Sequence, residues 1–157
     1  MAFILLTHQR ELGKASNSGQ LIEHCLPNTQ RIIWHRTEPD PVLLQLIARH
    51  QPTNQLALVY PCDKNPPAAE QQTFKHYILI DSTWQEARKI YNRSPYLHSL
   101  PCVQLSVEQA SRYSLRRNQK VNGLCTAETA MALLARDGNQ ASLARLDKHF
   151  TAFISRS

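Results

Sequence analysis

Residues 77–92 read YILIDSTWQEARKIYN and contain a complete transition from a strand to a helix. The first four residues, Tyr77–Ile80, are all apolar, which is typical of a strand buried on both faces of a parallel sheet. Thr83 and Glu86 have the spacing of a capping box, so a helix is predicted to begin at Thr83 and continue through the quoted stretch. Asp81 therefore lies between the end of a buried strand and the start of a helix.

The rest of the chain repeats this alternation of strands and helices. Further strands are predicted at Ala2–Thr7, Arg31–Trp34, Gln55–Tyr60 and Val103–Leu105, and further helices at Gln20–Cys25, from Asp40-Pro41 onward, at Leu124–Arg136 and at Gln140–Ile154. Strands that alternate with helices and are apolar on both faces indicate an α/β fold, in which helices cover both faces of a mostly parallel sheet. Because no repeat or long linker interrupts the pattern, we expect a single domain over residues 1–157.

In such sheets, ligands bind outside the carboxyl ends of the strands, which makes Asp81 the first residue to consider. Near the positive end of a helix its carboxylate favours the ionised form, and it could accept a proton or hold a ligand. The alternative is that Asp81 only helps to cap the helix. Trp84 could stack on a base or ligand. It could also fill the interface between sheet and helix, and its position beside a buried strand favours this second interpretation.

The positive charge of the chain is concentrated in one stretch. The net charge is +6, and residues 85–120 hold seven basic side chains and two acidic ones, so five of the six net charges lie there. The basic residues are Arg88, Lys89, Arg93, Arg112, Arg116, Arg117 and Lys120. A concentrated excess of this kind favours contact with a polyanion such as a nucleic acid over a merely solvated basic face.

Several classes of protein are disfavoured. The four cysteines contain no Cys-x-x-Cys pair and the seven histidines are scattered, so we expect no metal and no disulfide framework. There is no Gly-x-Gly-x-x-Gly, Walker A or Gly-x-Ser-x-Gly motif. The longest apolar run, Ala2–Leu6, is too short to span a bilayer, and no basic region of a secretory signal precedes it, so we predict a cytoplasmic protein.

The quoted stretch also resembles the signature of the DTW-domain family, which is named after its Asp-x-Thr-Trp motif. The matching segments run in the family's order over nearly the whole chain: Asn17-Ser18-Gly19 with Leu26-Pro27-Asn28, Arg36-Thr37-x-Pro39-Asp40, Ile80–Lys89 with Ser94–Leu97, Ser111-Arg112-Tyr113-x-Leu115-Arg116, and Leu124–Glu128. Any one of these segments is weakly specific, whereas five in order are strongly specific. The chain departs from the family in having Ser18 where Thr is usual and in starting at the first strand, without the N-terminal cysteine cluster of many relatives.

The resemblance implies a fold related to the SPOUT methyltransferases, with a C-terminal trefoil knot. It also implies transfer of the 3-amino-3-carboxypropyl group from S-adenosylmethionine to N3 of a tRNA uridine, which releases methylthioadenosine. Two alternatives stay open: a SPOUT-type RNA methyltransferase, and a non-catalytic RNA-binding module. The position of the uridine, the choice of tRNA and the oligomeric state are not implied.

With this activity in mind, we assign expected roles to individual residues. Uracil N3 carries a proton, so we expect Asp81 to take it or to orient the base through water, with Thr83 holding the loop. For the cofactor we expect contacts from Pro61, Cys62, Ser82, Trp84, Leu100, Leu124, Cys125, Thr126 and Ala127, the last four through backbone N–H groups at a helix start. For the RNA we expect contacts from Ser18, Arg88, Lys89, Arg112, Arg116 and Arg117.

Overall fold

The computed structural model describes residues 1–61, 63–69, 72–105 and 125–155, and it contains one five-stranded sheet. Its strands are β1 (Ala2–Thr7), β2 (Gln30–Ile33), β3 (Leu56–Val59), β4 (His76–Asp81) and β5 (Cys102–Val103). They are arranged in the order β2-β1-β4-β3-β5, and every neighbouring pair is parallel. The predicted α/β class with a parallel sheet is confirmed.

Five α-helices connect or follow these strands in the described part of the chain. They are α1 (Gly19–Cys25), α2 (Pro41–His50), α3 (Trp84–Asn92), α4 (Thr126–Arg136) and α5 (Gln140–Ile154), and two short 3-10 helices cover Gln9–Glu11 and Pro95–Leu97. The predicted start signals are confirmed. The Asp40 side chain accepts hydrogen bonds from the backbone N–H groups of Val42 and Leu43, and Thr83 and Glu86 form a capping box.

Alternate residues of each strand enter two separate hydrophobic cores. On one face, Phe3 and Leu5 of β1 belong to a core that also contains side chains of α1, α4 and α5. On the other face, Ile4 and Leu6 belong to a core that contains side chains of α2 and α3. The strands are apolar at consecutive positions because both faces are covered, as the sequence predicts.

The strand order places a crevice between β1 and β4. The chain leaves β1 toward β2 on one side, and it leaves β4 toward β5 on the other side, so the connections diverge at this pair. Ligands of open α/β sheets bind at such a switch point, outside the carboxyl ends of the strands. Thr7 and Asp81, the last residues of β1 and β4, are register partners there.

Cys102 is disulfide-bonded, although the widely spaced cysteines gave no reason to expect a disulfide framework. The relation to SPOUT enzymes, the trefoil knot and the single-domain organisation stay predictions, and residues 106–124, between β5 and α4, lie outside the described part of the chain. Within the described residues, no helix is both long and apolar enough to span a membrane.

Candidate functional site

The Asp81 carboxylate is buried at the end of β4 and is only 1% exposed. Its Oδ1 accepts hydrogen bonds from Asn17 Nδ2 at 2.9 Å and from Thr126 Oγ1 at 2.9 Å. Its Oδ2 accepts from Arg31 Nη1 at 2.8 Å and from Thr7 Oγ1 at 3.3 Å. The Thr7 hydroxyl has a single proton, and Leu5 O lies equally close to it at 3.3 Å, so three donors and one shared hydroxyl face the about four lone-pair positions of the carboxylate.

Arg31 provides the positive charge that compensates Asp81. Its Nη1 also donates to Thr7 Oγ1 at 2.9 Å, and its Nη2 lies 2.6 Å from Glu23 Oε1. Burial alone would lower the pKa of Arg31, but the bond to Glu23 and the charge of Asp81 raise it above its usual value. The two carboxylates therefore share one guanidinium, which forms a charge-assisted hydrogen bond with each of them.

The backbone of α1 packs directly against this carboxylate through Gly19. A Cβ atom placed on Gly19 would lie 2.6 Å from Asp81 Oδ2 and 2.9 Å from Asp81 Cγ. Such distances are shorter than van der Waals contact, and the carboxylate has no room to move because its hydrogen bonds hold it. Only glycine fits at this position while Asp81 keeps its present conformation.

The start of α4 is joined to the same segment. Ser18 Oγ accepts a hydrogen bond from the backbone N–H of Ala127 at 3.0 Å, and Glu128 Oε1 accepts one from the N–H of Cys125 at 3.0 Å. Two of the backbone N–H groups that were predicted to bind the cofactor, those of Cys125 and Ala127, are therefore already hydrogen-bonded within the protein. Ser18 is 5% exposed, which leaves it no surface to offer to RNA. The half-buried Thr126 is different, because its N–H has no hydrogen-bond partner among the described residues.

The Cys125 thiol is not a nucleophile in this setting. Burial raises its pKa to about 11, and the neighbouring negative charge of Glu128 adds to the effect. The group is therefore protonated at neutral pH, whereas the nucleophilic form of cysteine is the thiolate. This agrees with a direct displacement, which needs no covalent intermediate on the enzyme.

The rim of the site is formed by the turn from β4 into α3. The Thr83 hydroxyl accepts a hydrogen bond from the Glu86 N–H at 3.2 Å, so it holds the helix start in place. Burial would raise the pKa of Glu86, but its hydrogen bonds from Thr83 lower it. Trp84, in the first turn of α3, is 38% exposed. The expectation that it fills the interface between sheet and helix is wrong, because more than a third of its surface is exposed and it belongs to neither hydrophobic core.

The other predicted cofactor contacts differ in their accessibility to a ligand. Pro61 is exposed and Ser82 half-buried, and both follow the carboxyl ends of strands. Leu100 is fully buried in the core between the sheet and helices α2 and α3, so it cannot supply the expected apolar wall without leaving that core. Cys62 and Leu124 lie outside the described residues.

The cationic stretch is described only in part. Arg88 and Lys89 are exposed on α3, which begins at the edge where Asp81 lies. The predicted RNA contacts Arg112, Arg116 and Arg117 lie outside the described residues. In the part of the chain that the structure describes, no three histidine, cysteine or acidic side chains form a group that could hold a metal ion.

Thr7, Asn17, Gly19 and Arg31 are residues of this site that the sequence did not identify as functional. Asn17 lay in a segment quoted only for its resemblance, and Arg31 was assigned to a strand with no further role. The signal for Arg31 was a charged side chain at the beginning of an otherwise apolar strand. Such a residue needs a partner when it is buried, although the pattern does not say which one.

Comparisons with known proteins agree with the segments described above. A family model described as "DTW domain" matches residues 1–157. One curated relative is tRNA-uridine aminocarboxypropyltransferase 2 of Drosophila melanogaster, which is 28% identical over 142 residues. The alignment covers 84% of this chain and 54% of the relative, so the chain spans about half the length of that protein. No solved structure matches.

Proposed function

Because the chain belongs to the DTW domain family, we propose that it transfers the 3-amino-3-carboxypropyl group of S-adenosylmethionine to N3 of a tRNA uridine. In this transfer the bond from sulfonium sulfur to the γ-carbon breaks, the bond from uracil N3 to that carbon forms, and methylthioadenosine and the N3 proton are released. Support comes from the name of the Drosophila relative and from the family signature, which lies at the switch point between β1 and β4. The position of the signature carries the proposal, because ligands of open α/β sheets bind at such a switch point.

The residues at the carboxyl edge of the sheet fit S-adenosylmethionine, the donor of the transferred group, in part. Pro61 offers an apolar surface, and Thr126 a half-buried N–H that has no partner among the described residues. Ser82 offers its hydroxyl oxygen, since the hydroxyl proton is donated to the Thr83 carbonyl at 3.0 Å. These groups would hold the donor, since it has an apolar ring face and several hydrogen-bond acceptors. The N–H groups of Cys125 and Ala127 do not contribute, because Glu128 and Ser18 already accept their hydrogen bonds.

In this proposal Asp81 acts as a positioning residue and not as the base. A general base needs a free lone pair within reach of the proton that it removes. Oδ1 of Asp81 already accepts two hydrogen bonds, Oδ2 accepts one from Arg31 and contacts the Thr7 hydroxyl that Leu5 O shares, and the group is almost completely buried. What Asp81 does is to hold together the segment before α1, the strand β2 and the start of α4, and so to set the shape of the edge where the two substrates meet.

A transfer experiment with two labels tests the proposed reaction. We expect label from the carboxyl carbon of S-adenosylmethionine to enter unmodified tRNA in the presence of the protein, because the aminocarboxypropyl group carries that carbon. Label from the methyl group should stay with the released nucleoside. If only methyl label entered the tRNA, or neither label, the proposed reaction would be wrong.

The exposed cations of α3 give a second test, on tRNA binding. Changing Arg88 and Lys89 together to alanine should weaken binding and reduce the slope of log affinity against log salt by about 2, because each lost phosphate contact lowers it by about 1. Fluorescence anisotropy over a salt series measures both quantities. The control changes Arg49 and Lys75 to alanine, which removes the same charge from exposed positions at the opposite edge of the sheet. Equal effects of the two double variants would contradict a specific role of α3.

A further inference from the structure

Three aromatic rings form a stacked row beside the carboxyl edge of the sheet. Trp84 stacks on Tyr60, with ring centroids 6.0 Å apart and an angle of 21° between the planes. Tyr60 stacks on Tyr91, with centroids 4.5 Å apart and an angle of 19°. These distances are typical of offset-stacked aromatic pairs. The row connects Tyr60, just after β3, with two residues of α3 that are seven positions apart and therefore lie on the same face of the helix.

The inner end of this row is held firmly. Tyr91 is buried, and its hydroxyl group donates a hydrogen bond to Asn65 Oδ1. The Asn65 amide is buried in turn and donates to the backbone carbonyls of Leu97 at 2.7 Å and Leu100 at 2.9 Å. The outer ring, Trp84, therefore rests on a rigid support, and it remains one of the few large apolar side chains that are exposed.

The surroundings of Trp84 are cationic. Arg88 lies one turn further along α3, on the same side of the helix, and Lys89 follows it. Arg88 is also close to Tyr60: burial raises the pKa of the Tyr60 hydroxyl, and the positive charge of Arg88 partly opposes this. An exposed ring beside cationic side chains is the combination with which proteins bind single-stranded nucleic acid, through stacking on bases and contacts to phosphates.

We propose that an unpaired base of the RNA substrate stacks on Trp84, while Arg88 contacts a neighbouring phosphate. The inference rests on the proposed function for the identity of the ligand as RNA. It reassigns Trp84, which the sequence analysis gave to the cofactor. The two cations favour RNA, because every nucleotide brings a phosphate, whereas S-adenosylmethionine offers a single carboxylate beside a sulfonium and an ammonium group that Arg88 would repel.

The protein contains two tryptophans, so fluorescence can test this stacking directly. Trp34 is buried, and its indole Nε1–H donates to Ser94 Oγ at 2.9 Å, which shields it from ligands. We expect a single-stranded uridine oligoribonucleotide to quench the emission of the wild-type protein, because a base covers the exposed ring. An abasic oligonucleotide of the same length, which keeps the phosphates, should leave the emission nearly unchanged. The W84F variant should show no quenching.

Binding measurements on substituted proteins give an independent readout. Trp84→Leu should weaken oligonucleotide binding roughly five- to hundredfold, as expected for the loss of one stacked base, whereas Trp84→Phe keeps a flat ring and should retain most of the affinity. The matched control is Leu44→Ala on α2, which removes another exposed apolar side chain and should not change binding. Circular dichroism checks that each variant is folded.

The outcomes separate this inference from the proposed reaction. The stacking is supported if only the oligonucleotide with bases quenches the emission and if affinity falls from the wild type to the Phe variant and further to the Leu variant. This holds even if no label is transferred to tRNA. Wild-type affinity in the Leu variant overturns the inference. It is equally overturned if S-adenosylmethionine alone quenches the emission and RNA adds nothing, because the ring would then face the donor.

Discussion

Replacing Asp81 by asparagine is expected to lower the free energy of unfolding by about 3–5 kcal/mol, as is usual when one partner of a buried ion pair is removed. The amide keeps a single oxygen, and its NH2 group would face a donor, either Arg31 Nη1 or Thr126 Oγ1. Arg31 would keep Glu23 but lose its buried partner. Since small domains are stable by only about 5–15 kcal/mol, the variant should be marginally folded. Urea unfolding followed by circular dichroism measures the change.

This experiment also separates the two roles considered for Asp81. A residue that acted only as a base would lose turnover on this substitution while the midpoint of unfolding stayed the same. A positioning residue loses stability and activity together, and the loss is seen without any substrate. Asp63→Asn is the control, because Asp63 is exposed in the loop after β3 and its change should shift stability by less than about 0.5 kcal/mol. An unchanged midpoint in the Asp81 variant would contradict the positioning role.

Gly19→Ala should be nearly as damaging, although it adds only one methyl group. The new Cβ would lie 2.6 Å from Asp81 Oδ2, so either α1 moves away or the carboxylate gives up some of its hydrogen bonds. Overpacking usually costs about 1–3 kcal/mol, and the damage to a buried polar cluster adds to it, so we expect a loss of about 3 kcal/mol or more. Chemical unfolding again provides the value.

A double-mutant cycle makes this prediction specific. If the clash with Asp81 is the cause, Gly19→Ala should cost almost nothing in an Asp81→Ala background, where the carboxylate is absent. The two substitutions would then be strongly non-additive, as expected for residues in direct contact. Gly13→Ala serves as the comparison: a Cβ there meets no atom within 4 Å, but its φ of +79° makes alanine cost about 1–2 kcal/mol by backbone strain alone. Additive effects of Gly19 and Asp81 would contradict the contact.

The elements of this fold could be predicted because their signals are local. Apolar runs of strand length, a proline after Asp40, and the Thr83–Glu86 capping box each depend on residues within one turn or one strand. The first strand, Ala2–Thr7, and the final helix, Gln140–Ile154, have the predicted bounds, and the other strands differ by one or two residues at their ends. The location of Asp81 at the carboxyl edge of the sheet followed from the alternation of strands and helices, and it is confirmed by the bounds of β4 and the strand order.

The environment of Asp81 could not be predicted, because its partners are far away in sequence. Thr7, Asn17, Arg31 and Thr126 lie 74, 64, 50 and 45 residues from it. No periodicity or spacing relates such residues, and only the register of β1 with β4 and the docking of α1 and α4 bring them together. The burial of Ser18 and the exposure of Trp84 were not foreseen for the same reason.

These contacts join the segments that the two substrates would use. Asn17 precedes α1, Thr126 begins α4, and Asp81 leads into the turn that carries Trp84. A single buried carboxylate therefore fixes the position of the start of α4 relative to the turn that carries Trp84, the two segments to which we assign the cofactor and the RNA. Precise relative placement of two reactants supplies a large part of the catalysis of a transfer reaction, which gives the Asp-x-Thr-Trp segment a role without proton transfer.

The most direct test of the account is the identity of the modified nucleoside. The purified protein is incubated with unmodified tRNA and S-adenosylmethionine, and the tRNA is then digested and its nucleosides are weighed by mass spectrometry. We predict a uridine that has gained the aminocarboxypropyl group, formed together with methylthioadenosine. A methylated uridine, or tRNA that binds the protein and is returned unmodified, would contradict the proposed function.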